Sequence, residues 1–222
     1  MEAQLMLPFV EYKAHGEHKA SIIWLHGLGD SGEGFLPIAS ELNLPDELGV
    51  RFVFPHAPEQ PVTINGGMVM RSWYDIKSMD IDSRADEQGV RESADKVQQL
   101  IDAELAKGIA PEKIILAGFS QGGVISLHLA PRLPVKLAGV MALSTYMCAP
   151  DKLASEAVQN TLNIFMAHGS QDPVVPMSLG RSAYDTLREQ GYEISWQDYP
   201  MAHQVCHEEL TAIRKWLIAT LS

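Results

Sequence analysis

The chain has 222 residues, of which 46% are hydrophobic and 20% charged, a balance that suits a folded globular protein and excludes a disordered or low-complexity one. Asp and Glu number 28 against 17 Lys and Arg, and the net charge of −11 repels nucleic-acid phosphates and anionic lipid heads, so neither is expected as a primary partner. Two cysteines, Cys148 and Cys206, make no disulfide framework and point to a reducing compartment, by default the cytoplasm.

In chain order, the amino terminus MEAQLMLPFVEYKAHGEH has a short apolar run without a basic flank. Neither a signal peptide nor a stable membrane insertion is expected from it. Apolar runs at residues 21–25 and 50–54 predict buried strands. Residues 55–78, rich in Pro, Gly and Met, are long for a plain connection and read as a functional loop. Val90, Ala94, Val97, Ile101 and Leu105 recur at spacings of 3 and 4, which predicts a helix. Further strands are expected at 113–117, 137–143 and 162–167, and an alternating one, nearer a sheet edge, at 192–199. A last helix is expected over about 205–217, with Leu210, Ile213 and Leu217 on one side. Strands alternating with helices, without a linker, predict one α/β domain over residues 1–222, its mostly parallel sheet covered on both faces.

The stretch GFSQGG, residues 118–123, lies between a predicted strand and an apolar helical run. A hydroxyl can be pushed out above a sheet at such a junction only if the turn is very tight, and residues two before and two after must then lack a side chain. Gly118 and Gly122 meet that demand around Ser120, and Gly123 permits close packing of the helix start. This is the nucleophile elbow in its proper context. A phosphate-cradling loop is excluded, because no Lys stands at the Walker position.

A serine nucleophile needs a base, and the base an orienting acid, both following it in the chain and placed on loops at the carboxyl edge of the sheet. His128 falls in an apolar helix and fits a core role, His168 directly follows a strand and shapes its loop, and His207 falls inside the last helix. Position selects His203. Asp172 is the one carboxylate in HGSQDPVVP, whereas Asp185 falls in a helix and Asp198 in a strand. His203, Cys206 and His207 also form H-x-x-C-H, but the zincin Glu is absent and no second Cys/His group has metal spacing, so no metal is expected. The oxyanion donors are expected to be the N–H of Gln121, which opens a helix, and that of Leu28, in HGLGDSG between Gly27 and Gly29. In that loop Asp30 and Ser31 fit a turn and helix cap equally well.

Four segments, LHGLGDSG, FVFPHAPEQPVTINGGMVMRSWYDI, GFSQGG and HGSQDPVVP, closely resemble the acyl-protein thioesterase and carboxylesterase (phospholipase/carboxylesterase) family of α/β-hydrolases, nearly along the full chain. The resemblance implies a compact α/β-hydrolase without a large cap domain and without a cofactor. It implies hydrolysis of carboxylic esters or thioesters, including S-acyl groups on proteins and lysophospholipids. It also implies Ser120 as nucleophile, His203 as base, Asp172 as its orienter, and Leu28 and Gln121 as oxyanion donors. The TINGGMVMRSWYD form with Tyr146 is nearer the carboxylesterase branch. One departure stands out: the family's Gly before the catalytic His is Ala202 here, which a positive φ would strain.

For the acyl group an apolar wall is required. Met68, Val69, Met70 and Trp73 in the long loop are candidates, with Tyr146, Val174 and Leu179 beside the catalytic loops. Val69 and Trp73 fit the core equally well. Substrates of short to medium acyl length are expected, and members of such families can form homodimers through apolar loops. The alternatives are a lysophospholipase of the same fold and a binding protein that has lost its chemistry.

Overall fold

A computed structural model describes residues 6–78 and 85–222 of the chain. The elements in order are β1 (Phe9–Tyr12), β2 (Ala20–Leu25), α1 (Gly32–Phe35), α2 (Pro37–Leu42), β3 (Val50–Pro55), β4 (Glu59–Val62), β5 (Met68–Arg71) and α3 (Glu87–Ala106). There follow β6 (Ile114–Phe119), α4 (Gln121–Leu129), β7 (Gly139–Leu143), α5 (Leu153–Glu156), β8 (Asn163–Gly169), α6 (Met177–Glu189), β9 (Glu193–Tyr199) and α7 (His207–Leu221).

Seven strands form one sheet in the order β1-β3-β2-β6-β7-β8-β9. β1 runs antiparallel to β3, and every other pair is parallel. Every residue of β2, β3, β6 and β7 is buried, which is why these strands read as apolar runs interrupted only by Ser21 and Arg51: helices cover both sides. Alternate residues feed two cores. Ile23, Leu25, Leu116, Val140, Ile164 and Met166 pack beneath α3, α4 and α6, whose contributions include Val97, Ile125 and Leu187. Ile22, Trp24, Phe52, Phe54, Ile115, Met141 and Phe165 point the other way, toward α2 and α7, which contribute Leu42, Ile213 and Leu217. The edge position expected for 192–199 is that of β9, whose burial alternates.

Three features depart from the sequence expectation. β1 pairs Phe9 with Pro55 and Tyr12 with Phe52, a partnership that four residues cannot announce by periodicity. The stretch 55–78 is a structured hairpin rather than an open loop: β4 and β5 pair antiparallel with Pro61 opposite Val69. Its reversal uses Asn65-Gly66-Gly67, with φ of +66° and +80° at the two glycines, so the Asn-Gly pair was the available signal. Finally, α7 starts at His207 and runs on to Leu221, so His207 is its first residue. Among the described residues no helix is long and apolar enough to cross a membrane.

α7 buries Glu209, Ile213, Leu217 and Leu221 along one stripe. Glu209 is fully buried, and neither carboxylate oxygen has a hydrogen-bond partner among the described residues. Burial pushes its pKa up to about 8, and the Cys206 N–H at the helix start draws it back only in part. The folded protein therefore holds a proton that the unfolded chain releases in the ordinary carboxylate range. This stabilisation is complete below that range and is lost as pH rises toward the folded value of about 8. Glu209→Gln should remove the dependence: thermal melts should show the variant gaining on the parent from pH 5 to pH 8, by about 3 kcal/mol at the upper end. Parallel melting profiles across that range would show that the carboxyl is solvated.

Candidate active site

β6 ends at Phe119 and α4 begins at Gln121, so Ser120 alone makes the turn. Its backbone takes φ 54°, ψ −118°, a conformation that costs a non-glycine residue about 1–3 kcal/mol. The neighbours hold it there. The Ser120 N–H donates to the Leu143 carbonyl at 2.9 Å, and the Ser120 carbonyl accepts from the Thr145 hydroxyl at 2.7 Å. The flanking glycines are obligatory on steric grounds. A Cβ on Gly118 would lie 2.2 Å from the Gly122 carbonyl, and one on Gly122 would lie 2.3 Å from the Leu25 carbonyl of β2. One on Gly123 would lie 2.7 Å from the Thr145 side chain.

Asp172 and His203 come from the loops that leave β8 and β9. These loops are tied together: the Ser170 N–H donates to Tyr199 O at 2.8 Å and the Gln171 N–H to Met201 O at 3.1 Å. Gly169 beneath them accepts no side chain, because its Cβ would lie 2.4 Å from the carbonyls of Met201 and Ala202. Asp172 Oδ1 accepts the N–H groups of Val174 at 2.8 Å and Val175 at 2.9 Å, which fixes the carboxylate plane. Its Oδ2 accepts His203 Nδ1–H at 2.6 Å. That tautomer leaves the Nε2 of His203 as a free base on a ring whose side chain is 17% exposed, while the Asp172 carboxylate is sealed from water. The ring also packs on Phe119, centroids 4.7 Å apart.

His168 belongs to β8 itself rather than to the loop after it; it is buried and donates from Nε2 to Val175 O at 2.8 Å. Burial lowers its pKa, so it is neutral and braces the loop that presents Asp172. His128 is buried in α4, where burial first and the nearby Arg132 second lower its pKa to about 4. Strain at Ala202 does not arise: among the described residues, the non-glycine residues with positive φ are Asn43, Ser120, Ser144 and Ala149.

The HGLGDSG loop leaves β2 beside this elbow. Gly27 lies against Phe119 and Ser120, and Gly29 spends its N–H on Arg71 O at 2.8 Å, which leaves the Leu28 N–H as the loop's candidate donor. Ser120, His203, Gly27, Leu28 and Phe119 open onto one cleft of about 460 Å³. Its far wall is apolar, built by Phe35, Pro37 and Ile38 of α1 and α2 with Val205 and Leu210 near the start of α7; Asp30 and Glu41 are its carboxylates.

Of the seven expected substrate contacts, Val174 alone lines this cleft. Trp73 is 1% exposed and gives its indole N–H to His26 O at 2.8 Å, so it is a core residue. Met68 on β5 is 64% exposed and projects into solvent with Val69. Tyr146 and Leu179 are buried and border a separate cavity of about 450 Å³ against α6, on the other face of the sheet. The Tyr146 hydroxyl meets that of Tyr74 at 2.8 Å. The wall residues that sequence reasoning missed lie on α1 and α2, helices of four and six residues, too short for periodicity. The one signal was the apolar run Phe35-Leu36-Pro37-Ile38 that follows HGLGDSG.

Proteins whose mostly parallel sheet carries such a constellation on its carboxyl edge are serine hydrolases of the α/β-hydrolase class, and this chain is one. A family model described as Phospholipase/Carboxylesterase matches residues 7–221. The chain is 40% identical over 219 residues to acyl-protein thioesterase 1 of Neurospora crassa, covering 94% of this chain and 89% of that one. Among solved structures, Arabidopsis thaliana SOBER1 superposes with a TM-score of 0.87 at 32% identity, covering 92% of this chain and all of that one. Zea mays acyl-protein thioesterase 2 gives a TM-score of 0.88 at 28% identity, covering 97% and 99%. The chain belongs to the phospholipase/carboxylesterase family.

Because Ala202 sits at an unstrained φ, Ala202→Gly should leave kcat within about threefold of the parent and lower stability by about 0.5–1 kcal/mol through the added freedom of the unfolded chain. Steady-state ester hydrolysis with a thermal melt measures both, and a rise in kcat by orders of magnitude would show that Ala202 holds His203 out of place.

Proposed function

We propose that the protein hydrolyses carboxylic esters and thioesters of short to medium acyl chains through an acyl-enzyme on Ser120, working as a single domain in the cytoplasm. The observation that carries this reading is the 2.6 Å bond from His203 to the sealed Asp172 carboxylate, in the same cleft as a serine held at φ 54°. His203 Nε2 takes the Ser120 proton as Oγ attacks the acyl carbon. The carbonyl π pair moves onto oxygen, where the Leu28 and Gln121 N–H groups receive the charge, and the Gln121 N–H adds the positive end of the α4 dipole. The oxyanion collapses, the bond to the leaving oxygen or sulfur breaks, and His203 hands its proton to that atom. Water then repeats the sequence on the acyl-enzyme and releases the acid. No cofactor or metal enters this cycle.

The apolar wall of Phe35, Ile38, Val205 and Leu210 suits an acyl chain or another apolar substituent. S-acylated proteins are the thioester substrates suggested by the names of the fungal and maize relatives; the family name suggests phospholipids as the alternative, among which lysophospholipids present a single acyl ester. Two unpaired cysteines fit a reducing compartment. The exposed Met68 and Val69 are the apolar loop residues through which a homodimer would form.

Labelling with a fluorophosphonate and mapping the adduct by mass spectrometry should place it on Ser120, with turnover of p-nitrophenyl acetate, butyrate and octanoate in parallel. Ser120→Ala should abolish both. Asp172→Asn should lower kcat by about 10⁴ with KM little changed, since the substituted side chain favours the wrong His203 tautomer. Folded protein that neither labels nor turns over would overturn the hydrolase reading in favour of a binding protein. Rates on palmitoyl thioester peptides against lysophosphatidylcholine separate the two substrate classes.

A further inference from the structure

The side chain of Gln121 is buried at 2% exposure and spends its hydrogen-bonding capacity on one segment of three residues. Its Oε1 accepts the Trp73 N–H at 3.0 Å, and its Nε2 donates to Tyr74 O at 2.8 Å and to the Ser72 hydroxyl at 3.1 Å. The Ser72 hydroxyl in turn donates to Tyr74 O at 2.6 Å. These partners assign the amide orientation, because the Trp73 N–H requires the oxygen and Tyr74 O the nitrogen.

The same segment grips the other side of the cleft. Trp73 donates its indole N–H to His26 O at 2.8 Å, and Arg71 O accepts the Gly29 N–H at 2.8 Å. His26 is buried and completes the frame. Its Nε2 accepts the Ala57 N–H at 3.0 Å, so the proton sits on Nδ1 and is donated to Gly27 O at 2.6 Å. Arg71 Nη1 closes the circuit on Ala57 O at 3.1 Å. The Leu28 peptide therefore has its neighbours on both sides pinned, by residues 71–74 and by His26.

We propose that residues 71–74 are a positioning brace for the oxyanion hole, with the Gln121 carboxamide as its anchor on the elbow side and the Trp73 indole as its anchor on the HGLGDSG side. The proposal rests on reading Leu28 and Gln121 as the oxyanion donors. β2 and β6 are paired neighbours, with Leu25 opposite Gly118, so the sheet brings the two loops together only to the level of strand spacing. Donors must lie within about 2.7–3.1 Å of the developing oxyanion, and a site loose by a fraction of an ångström loses much of its worth. Beyond the last strand pair nothing in the sheet controls that distance, and the brace does. A core-filling role would be met equally well by Met or Leu at position 121, which have no use for three polar partners.

The test compares Gln121→Met and Trp73→Phe with the parent, scaling kcat to active sites titrated by fluorophosphonate so that misfolded protein drops out. Gln121→Met should lower kcat per titrated site by about 10–100-fold with KM within about twofold, part of the 10²–10³ that loss of a whole donor costs. Affinity for an alkyl boronic acid, whose tetrahedral adduct places an oxygen in the hole, should fall by the same factor, while affinity for the product acid should hold. Trp73→Phe, which deletes one hydrogen bond, should lower kcat less, and the double variant should fall short of the product of the two because they act through one element. If Gln121→Met does not fold, the Trp73→Phe comparison decides alone. Unchanged kcat per site and unchanged boronate affinity, with a lower melting temperature, would overturn the brace. Ser120→Ala separates the two levels: turnover surviving in that variant would remove the nucleophile reading itself, whereas its loss beside a fully active Gln121→Met would remove the brace alone.

Discussion

Helix α4 starts so close to strand β2 that the Gly122 position has no room for a Cβ against the Leu25 carbonyl, and the rest of the site depends on that approach. It leaves one residue, Ser120, to turn the chain, and that residue is driven to a positive φ with its hydroxyl in the cleft. It also aims the free N–H end of α4 at the space beside the hydroxyl, where a developing negative charge is favoured. A looser junction would relax the backbone and lose both effects. The strain is tolerated because the hydrogen bond to the Leu143 carbonyl, the one from the Thr145 hydroxyl and two buried cores over-determine the turn.

Parallel topology does the remaining assembly. Because β2, β6, β8 and β9 all run one way, the loops that follow them emerge on a single edge, and residues 28, 120, 172 and 203 share it despite their separation in sequence. Strand order then decides their neighbours. β8 and β9 are paired up to Gly169 and Tyr199, so the loops bearing Asp172 and His203 leave side by side and bond to each other at once.

The histidines of the chain show how environment divides one residue type among tasks. His203 keeps one nitrogen on a buried carboxylate and the other free. His26 and His168 are buried, their pKa values lowered by desolvation, and each serves as a neutral strut, one under the HGLGDSG loop and one under the Asp172 loop. Glu209 is the counterpart among the acids. On the α7 stripe it is stripped of water without gaining a charged partner, and holding its proton is the cheaper outcome.

The residues around Ser120 determined the elbow by themselves, because the need for missing side chains at Gly118, Gly122 and Gly123 is local and writes itself into a short pattern. The buried strands were equally legible, since a sheet covered on both faces demands apolar runs such as those at 52–54 and 114–117. The choice of Asp172 and His203 followed from chain order, and it could be made because few carboxylates and histidines fall just past strand ends. What the sequence could not carry was which apolar residues face the serine. Trp73, Tyr146 and Leu179 have the right chemistry, but their side chains point into the core or beneath the opposite face, and the cleft wall comes from α1, α2 and α7 instead. The same holds for the Gln121 clasp on Trp73 and Tyr74, formed across 48 and 47 positions through backbone groups that nearly every residue type possesses. Steric demands at one point of the chain are visible in composition; the direction of a side chain and the partner of a peptide group exist only once distant segments have packed.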